Sequence, residues 1–149
     1  MKRNEGDIVG MIFPVPVNLV DRLFDGRHNV FVKYAGSHNH ARATKLKARD
    51  KVVFYASHGT KHLVGEGTIE RIELMRPERV LAKYRDRLFL KESELYAYVR
   101  SRPSRPLEKE MLTIVMTKIR RYKNPFRFSE HITMTGKYLS SEEYRSLPL

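Results

Sequence analysis

The stretch from residue 45 to residue 74 constrains the fold most, because it predicts two adjacent strands of a sheet. Residues 51–57 read KVVFYAS, a run of β-branched and aromatic residues that is apolar on both faces. Such a run is typical of a central strand that is covered on both sides. A polar turn at 58–62 follows, and the chain then returns from Leu63 to Leu74. We therefore predict a central β-hairpin.

The returning strand carries two features that bend it. Gly65 and Gly67 lie within its first half, and glycine inside a strand usually marks a bulge or the close approach of another backbone or a ligand. The apolar alternation also slips by one position between Ile69 and Ile72. Together these features predict a small, strongly bent β-structure.

Three further strands are predicted outside the hairpin. Residues 7–13, 28–34 and 111–119 are rich in apolar and β-branched residues, which is the pattern of strands in a sheet. Pro14 and Pro16 cannot donate to a ladder, so we expect them to end the first of these strands.

Short helices are predicted between and after the strands. Asn18 is a candidate N-cap for the first, Pro77 suits the first turn of the second, and residues 92–100 form a third amphipathic stretch. Ser140 and Glu143 have the spacing of a capping box that opens a last helix. The expected fold is α+β, with about four to six strands in one domain over residues 1–149.

The chain carries a large positive charge. Lysine and arginine number 29 and the acidic residues 17, so the formal net charge is +12 at pH 7. A surplus of this size favours a polyanionic partner, with nucleic acid first and a membrane surface second. The alternative is a basic protein whose charge serves solubility alone. The absence of cysteine excludes disulfides, thiolate catalysis and cysteine-ligated zinc.

Composition also bears on location and source. No stretch approaches the roughly 18 apolar residues that a membrane-spanning helix needs. The first ten residues lack the apolar core of a signal peptide, so we expect a cytoplasmic protein. Charged residues make up 31% of the chain and cysteine is absent, which is typical of a thermophile's protein.

Basic residues concentrate in two parts of the sequence. The first group consists of Lys33, Arg42, Lys45, Lys47, Arg49 and Lys51. The second group consists of Lys118, Arg120, Arg121, Lys123 and Arg127. Each cation that faces a phosphate releases counterions and thereby adds affinity that depends on salt. The two groups therefore indicate a surface for RNA.

Aromatic residues accompany these basic groups. Tyr122 and Phe126 interleave with the second group, and unpaired bases stack on aromatic rings for about 1–3 kcal/mol each. Tyr34, Tyr55 and Tyr98 are candidate walls of a pocket. The alternative is that these rings turn into the core with their hydroxyls satisfied. The predicted nucleic-acid-binding residues are Lys33, Tyr34, Arg42, Lys45, Lys47, Tyr55, His58, Lys61, Arg120, Arg121, Tyr122, Lys123 and Arg127.

Metal binding and catalysis receive little support from the sequence. Four histidines have pairwise spacings that resemble those of metal ligands, namely His38, His40, His58 and His62. The preferred interpretation is that they are polar histidines on loops. The carboxylates nearest the predicted pocket, Asp50, Glu66 and Glu70, show no recognisable paired spacing. No nucleophile elbow, P-loop or dinucleotide motif is present. We predict no catalytic residue, metal or cofactor.

Three short segments resemble motifs of the PUA-like superfamily, which includes the PUA, ASCH and EVE domains. LKARDKVVFY at 46–55 resembles the start of their central strand, with Arg49 where glycine is usual. VGEGTI at 64–69 resembles the strand that returns. GRHNVFVK at 26–33 resembles the G-x-K-x-x-x-x-R element of ASCH domains. The whole chain resembles an uncharacterised archaeal family of this superfamily.

This resemblance implies a PUA-like small β-barrel, or pseudo-barrel, with short peripheral helices. It implies RNA binding, with a modified nucleobase recognised in a pocket at the barrel mouth. One ASCH branch hydrolyses an acetylated cytidine with a lysine, but here His28 replaces that lysine and Phe31 the accompanying threonine. Two alternatives stay open. One is a hydrolase of N-acylated nucleosides with His28 or Lys33 as base, and the other is a protein-interaction module of an RNA-modification or ribosomal complex.

Overall fold

A mixed sheet, with six strands in the part of the chain that the structure describes, organises the fold. The computed structural model describes residues 7–33, 46–57, 61–101, 110–130, 132 and 136–148. The strands are β1 Ile8–Pro16, β2 Val30–Lys33, β3 Lys51–Ser57, β4 His62–Met75, β5 Met111–Arg127 and β6 Lys137–Ser140. Their order across the sheet is β2-β5-β4-β3-β1-β6. β1 and β3 run parallel, and every other pair is antiparallel.

In the described ranges, four short α-helices accompany the sheet and confirm the α+β prediction: α1 Val20–Leu23, α2 Pro77–Tyr84, α3 Glu92–Arg100 and α4 Ser141–Arg145. Pro77 occupies the first turn of α2, and Ser140 and Glu143 form the predicted capping box of α4. Asn18 is not an N-cap, because it lies inside a 3-10 turn that precedes α1 and no side chain caps that turn.

The central hairpin is confirmed. β3 lies between β4 and β1, and its side chains are buried on both faces. Val52 and Phe54 pack into one hydrophobic cluster, while Val53 and Tyr55 pack into another. This two-sided burial explains why the strand lacks the polar alternation of a surface strand.

The bends of β4 also follow the prediction. The register between β4 and β5 shifts at three places, one of them between Ile69 and Arg71. At Gly65 a Cβ atom would lie 2.5 Å from the backbone oxygen of Arg120 and 2.5 Å from the ring of Phe24. Only glycine allows this approach of β5 and the segment after α1 to β4.

Two strands run further than predicted. β1 continues through Pro14 and Pro16, because it keeps its parallel register with β3 to Ser57 while its pairing with β6 covers only residues 8–12. β5 continues to Arg127 through a wide bulge, in which residues 122–125 lie opposite Val64 alone.

The sheet curls around an interior of aromatic rings. Phe13 on β1 and Phe31 on β2 belong to strands that are well separated in the sheet, yet their ring centroids lie 6.3 Å apart. Phe31 also stacks on Phe54 at 5.5 Å and on Phe89 at 4.5 Å. The outer face is covered at one end by α2 and α3 and at the other by residues of the C-terminal segment.

The sheet is open, which corrects the prediction of a barrel. Among the described residues, β2 and β6 form the two edges and do not pair with each other. The stacked rings fill the space between the opposing walls. The structure therefore closes through side-chain packing rather than through a continuous backbone ladder.

Candidate nucleic-acid interface

A cleft of about 550 Å³ opens beside α1, and we call it the α1 cleft. One wall is the turn from α1 to β2, a second is the segment after α2, and the third is the first bulge of β5. The lining residues are Leu23, Phe24, Gly26, Arg27, His28, Asn29, Arg87, Met116, Thr117, Lys118 and Ile119.

Asn29 holds the three walls together. Its backbone N–H donates to Arg87 O at 3.0 Å, and its backbone oxygen accepts from Met116 N at 2.9 Å. Its side-chain amide donates to Met116 O at 2.9 Å and accepts from Arg87 Nε at 3.0 Å. Every polar group of this half-buried residue is thus satisfied within the described structure, so the walls are fixed relative to one another.

A tight turn presents Arg27 and His28 to the cleft. Gly26 has a φ of 79°, which favours glycine. Asp25 Oδ1 accepts hydrogen bonds from the backbone N–H of Arg27 at 2.8 Å and of His28 at 3.1 Å. Its Oδ2 is hydrogen-bonded to His28 Nδ1. Burial opposes ionisation of Asp25, but these hydrogen bonds outweigh it and lower the pKa of the carboxyl group.

The α1 cleft is basic above an apolar floor. Arg27, Arg87 and Lys118 supply three cations, and none of the lining residues that the structure describes is a carboxylate. Met116 and Ile119 are apolar parts of the lining. Lys118 has a φ of 52°, an unusual backbone conformation for a residue with a side chain, at the bulge of β5. An arrangement of this kind suits an anionic ligand that also carries an apolar, planar part.

Arg121 extends this basic surface beyond the lining residues. Its guanidinium carbon lies 4.4 Å from the ring centroid of Phe24, and its Nη2 is 2.9 Å from Asp21 Oδ1. The Asp21 side chain is 95% exposed, so this ion pair is largely screened by solvent. Arg121 therefore connects the α1 cleft to the basic segment of β5.

A second set of cations lies around Glu66, and we call it the Glu66 network. Glu66 on β4 is buried, with 3% of its surface exposed. Its carboxylate accepts from the hydroxyl of Tyr122 at 3.0 Å and from that of Tyr144 at 2.9 and 3.0 Å. Lys51 Nζ and Arg120 Nη2 lie 3.6 and 3.5 Å from its two oxygens.

The network keeps its two tyrosines protonated. Burial, followed by the negative charge of Glu66, raises the pKa of Tyr122 well above its usual range. Burial and hydrogen bonding to Glu66 raise the pKa of Tyr144 in the same direction. A neutral hydroxyl can donate to the carboxylate, whereas a phenolate cannot. Two hydroxyls and two cations therefore surround the one buried carboxylate of the Glu66 network.

The predicted binding residues fall into different places. Lys33 Nζ lies 4.9 Å from the ring centroid of Phe13, facing β1, and Arg120 Nη2 lies 3.5 Å from Glu66 Oε1. Exposed positions are occupied by Lys47, Lys61, Arg120, Arg121, Lys123 and Arg127. Four predicted residues lie outside the described residues: Tyr34, Arg42, Lys45 and His58. Binding by this set as a whole stays a prediction.

The predicted aromatic platforms are buried. Tyr55 and Tyr122 are each 4% exposed, so neither ring offers a free face to a base in this structure. The Tyr122 ring stacks with the Phe126 ring, with their centroids 6.2 Å apart, at the wide bulge of β5. Tyr98 packs against the cluster formed with α2 and α3. Tyr55 and Tyr122 thus pack as core residues, whereas Tyr98 and Phe126 are half-buried.

Of the histidines considered as metal ligands, only His62 lies among the described residues, on β4; His38, His40 and His58 lie outside them. Within the described ranges, no group of three or more potential ligands is close enough to hold a metal ion.

Several residues of the α1 cleft were missed by the sequence prediction. Arg27, Arg87 and Met116 were not predicted to bind, and Lys118 was grouped with the basic residues but left out of the binding set. Arg87 is distant in sequence from the other walls, and no motif marks it. The G-R-H segment at 26–28 was a usable signal, because it follows a helix and precedes a strand.

Comparisons with known proteins agree with this architecture. Residues 8–141 match the model of the family described as Domain of unknown function (DUF365). An uncharacterized protein of Methanocaldococcus jannaschii, MJECS03, is 30% identical over 103 residues, which cover 65% of this chain and 95% of that protein. The predicted resemblance to an archaeal family of unassigned role is thereby confirmed.

Solved structures with similar folds come from bacteria and archaea. ASCH from Zymomonas mobilis superposes with a TM-score of 0.72 at 12% identity, covering 92% of each chain. The N-terminal domain of Staphylothermus marinus McrB gives a TM-score of 0.59 at 16% identity, covering 97% of this chain and 96% of that one. At these identities the likeness shows the fold, and it confirms the predicted PUA-like and ASCH-like architecture.

No helix in the described part of the chain has the length and apolar character needed to cross a membrane. The cytoplasmic location stays a prediction.

Proposed function

The chain belongs to the DUF365 family, and from its ASCH-like fold and its α1 cleft we propose that it binds single-stranded RNA. The observation that carries the proposal is the cleft itself, in which Arg27, Arg87 and Lys118 stand beside apolar residues and no carboxylate belongs to the described lining. The net charge of +12 points the same way. Long-range attraction draws the strand towards the protein, and the cleft then holds it.

An unpaired base is the part of RNA that fits the floor of the cleft. Sequence-specific RNA recognition mostly targets unpaired bases that can leave the stack. The cleft volume of about 550 Å³ lies within the range typical of small-molecule sites. Ile119 and Phe24 offer apolar contacts, and Thr117 offers a hydroxyl. We propose that one base, modified or not, enters here while phosphates contact the cations.

The test is RNA binding across a salt series. Fluorescence anisotropy with a labelled single-stranded oligoribonucleotide gives the affinity at each salt concentration. We expect log K to fall linearly with log salt. The variant Lys118→Ala/Arg121→Ala should lower the slope by about 1.4, since each phosphate contact on a single strand contributes about 0.7.

The matched control removes the same charge elsewhere. Arg79→Ala/Arg100→Ala changes two exposed arginines, on α2 and α3, that do not line the cleft. This control should bind nearly as the wild type does. The proposal fails if the wild-type protein does not bind at low salt, or if its affinity does not change with salt.

Hydrolysis of an N-acylated nucleoside is a second candidate function, and one observation favours it. His28 lines the cleft and its ring is oriented by Asp25, as is common for a general base. Lys33, the other candidate base, is not among the lining residues. Incubation with acetylated cytidine tests this function, with His62→Ala as control for His28→Ala. Absence of turnover, or turnover that His28→Ala leaves unchanged, removes it.

A further inference from the structure

The two arginines of the α1 cleft are anchored in the same way. Arg27 Nε donates to Asp86 O at 3.1 Å, and Arg87 Nε donates to Asn29 Oδ1 at 3.0 Å. The Arg87 guanidinium also lies 5.6 Å from the ring centroid of Tyr84. In the part of the chain that the structure describes, no acceptor contacts the Nη atoms of either arginine. Each guanidinium is thus fixed through Nε, and the described residues leave its two Nη atoms available.

These anchors are neighbouring contacts between the same two segments. The backbone N–H groups of Asn29 and Val30 both donate to Arg87 O, at 3.0 and 3.1 Å. Arg27 reaches Asp86, the residue directly before Arg87. The hydrogen bonds that anchor the two side chains therefore lie close together, and both side chains line one cleft. Asp25 is the nearest carboxylate in sequence to Arg27. Its oxygens are engaged by the backbone N–H groups of the turn and by the His28 ring.

We propose that Arg27 and Arg87 together bind one phosphate group, with Asn29 as the residue that positions Arg87. The inference rests on the proposed function and names the part of the RNA that this end of the cleft takes. A guanidinium whose Nε is occupied still offers two Nη atoms to a phosphate, in the geometry that makes arginine a better phosphate ligand than lysine. The described part of the lining places no carboxylate with these two cations, so they repel each other, and a shared anion relieves this repulsion.

The phosphate can be a terminal monoester or an internal diester, and three probes separate these sources. They are oligouridylates of one length that end in a 5′-phosphate, in a 3′-phosphate, or in hydroxyls at both ends. Each is titrated against wild type, Arg27→Ala/Arg87→Ala, Arg87→Lys and the control Arg79→Ala/Arg100→Ala. If only phosphorylated probes lose affinity in the cleft variants, the site takes a terminal phosphate. If all three lose affinity equally, it takes an internal one.

The expected size of the effect follows from one shared phosphate. Arg27→Ala/Arg87→Ala should bind about tenfold or more weakly than the control, since hydrogen bonds to charged groups are worth about 1.5–3 kcal/mol. Its salt slope should fall by about 0.7, the value for one phosphate, and not by about 1.4. Arg87→Lys keeps the charge but loses the fork and the Asn29 contact, so it should recover little of the lost affinity.

Two results overturn the inference while leaving the proposed function standing. One is RNA binding by Arg27→Ala/Arg87→Ala that equals that of the control with every probe. The other is a slope change of about 1.4, which would mean two separate phosphates. If the wild type binds no RNA, the site is tested with inorganic phosphate. Phosphate should then raise the thermal midpoint of the wild type above its midpoint in chloride of equal ionic strength. An equal phosphate-induced rise in Arg27→Ala/Arg87→Ala rejects the site.

Discussion

Arg120 and Arg121 are neighbours on β5, yet they belong to two regions that treat positive charge in opposite ways. Arg120 lies in the Glu66 network, where a buried carboxylate, Lys51 and two tyrosine hydroxyls meet. Arg121 lies beside Phe24 at the rim of the α1 cleft, where no carboxylate is found among the lining residues of the described ranges. A run of basic residues in a sequence thus does not reveal how much charge is available to a ligand.

The partner strand decides which arginine meets a buried carboxylate. Glu66 stands in register with Arg120, and Gly65 stands in register with Arg121. Successive residues of a strand face opposite sides of the sheet. One side therefore receives a carboxylate opposite its cation, and the other receives a glycine that only makes room for Phe24. The comparison predicts stability effects on the Glu66 side and binding effects on the cleft side.

The largest effect is expected from Glu66→Ala. This change leaves Lys51 and Arg120 without their shared partner and two tyrosine hydroxyls without their acceptor, so unfolding should become easier by about 3–5 kcal/mol. Urea denaturation measures the loss. Glu70→Ala, which removes an exposed carboxylate from the same strand, should cost less than about 1 kcal/mol. Equal stability of the two variants would show that the network does not support the fold.

Next in size is the loss of one tyrosine hydroxyl. Tyr122→Phe should destabilise the protein by about 1 kcal/mol, since Glu66 keeps its other donors. Because the native state raises the pKa of Tyr122 above its ordinary value of 10.0, the native state disfavours the phenolate. The associated stability is complete below pH 10 and declines as the pH rises further. Unfolding curves at pH 9 to 11 should therefore show a smaller alkaline loss for Tyr122→Phe than for wild type.

A matched pair of glycine substitutions separates binding from backbone strain. Lys118 and Arg49 both have positive φ, at 52° and 79°, so glycine relieves strain at either site and should change stability by no more than about 1 kcal/mol. Only Lys118 lines the α1 cleft. Lys118→Gly should weaken RNA binding about threefold to tenfold, and Arg49→Gly should weaken it less. An equal loss from both would assign binding to overall charge rather than to the cleft.

The smallest effect concerns an ion-pair cluster outside both regions. Lys83, Tyr84 and Arg71 lower the pKa of Glu73 from its ordinary 4.5 to about 2. The stability that this provides is present above about pH 4.5 and is lost as the pH falls towards 2. The stability difference between wild type and Glu73→Gln should be at most about 1 kcal/mol at pH 7 and should shrink over that range. A difference that does not change with pH would contradict this account.

Local patterns in the sequence predicted the central part of the fold. The run of residues 51–57, the slip after Ile69, Pro77 and the Ser140 capping box all correspond to features of the structure. Each depends on contacts near in sequence or on a backbone preference of the residue itself. The extension of β1 through Pro14 and Pro16 was missed, because it depends on where the pairing with β6 ends.

The candidate site was harder to predict than the fold. The α1 cleft joins Arg27, Arg87 and Lys118 across distant parts of the chain through the hydrogen bonds of Asn29, and no sequence spacing encodes such a meeting. Tyr122 was predicted as a stacking platform from its basic neighbours. Its burial follows from Glu66, which supplies an acceptor for its hydroxyl on the inner side of the bulge.

The prolines of β1 have a consequence for how copies of this protein behave at high concentration. Past residue 12 the strand has no β6 partner in the described structure, and an unprotected strand of this kind can recruit a foreign chain and start aggregation. Proline is tolerated where its nitrogen faces away from the ladder. Pro14 and Pro16 would then present ring carbons instead of amide hydrogens to an approaching strand, and the stretch would defend the protein against self-templated assembly.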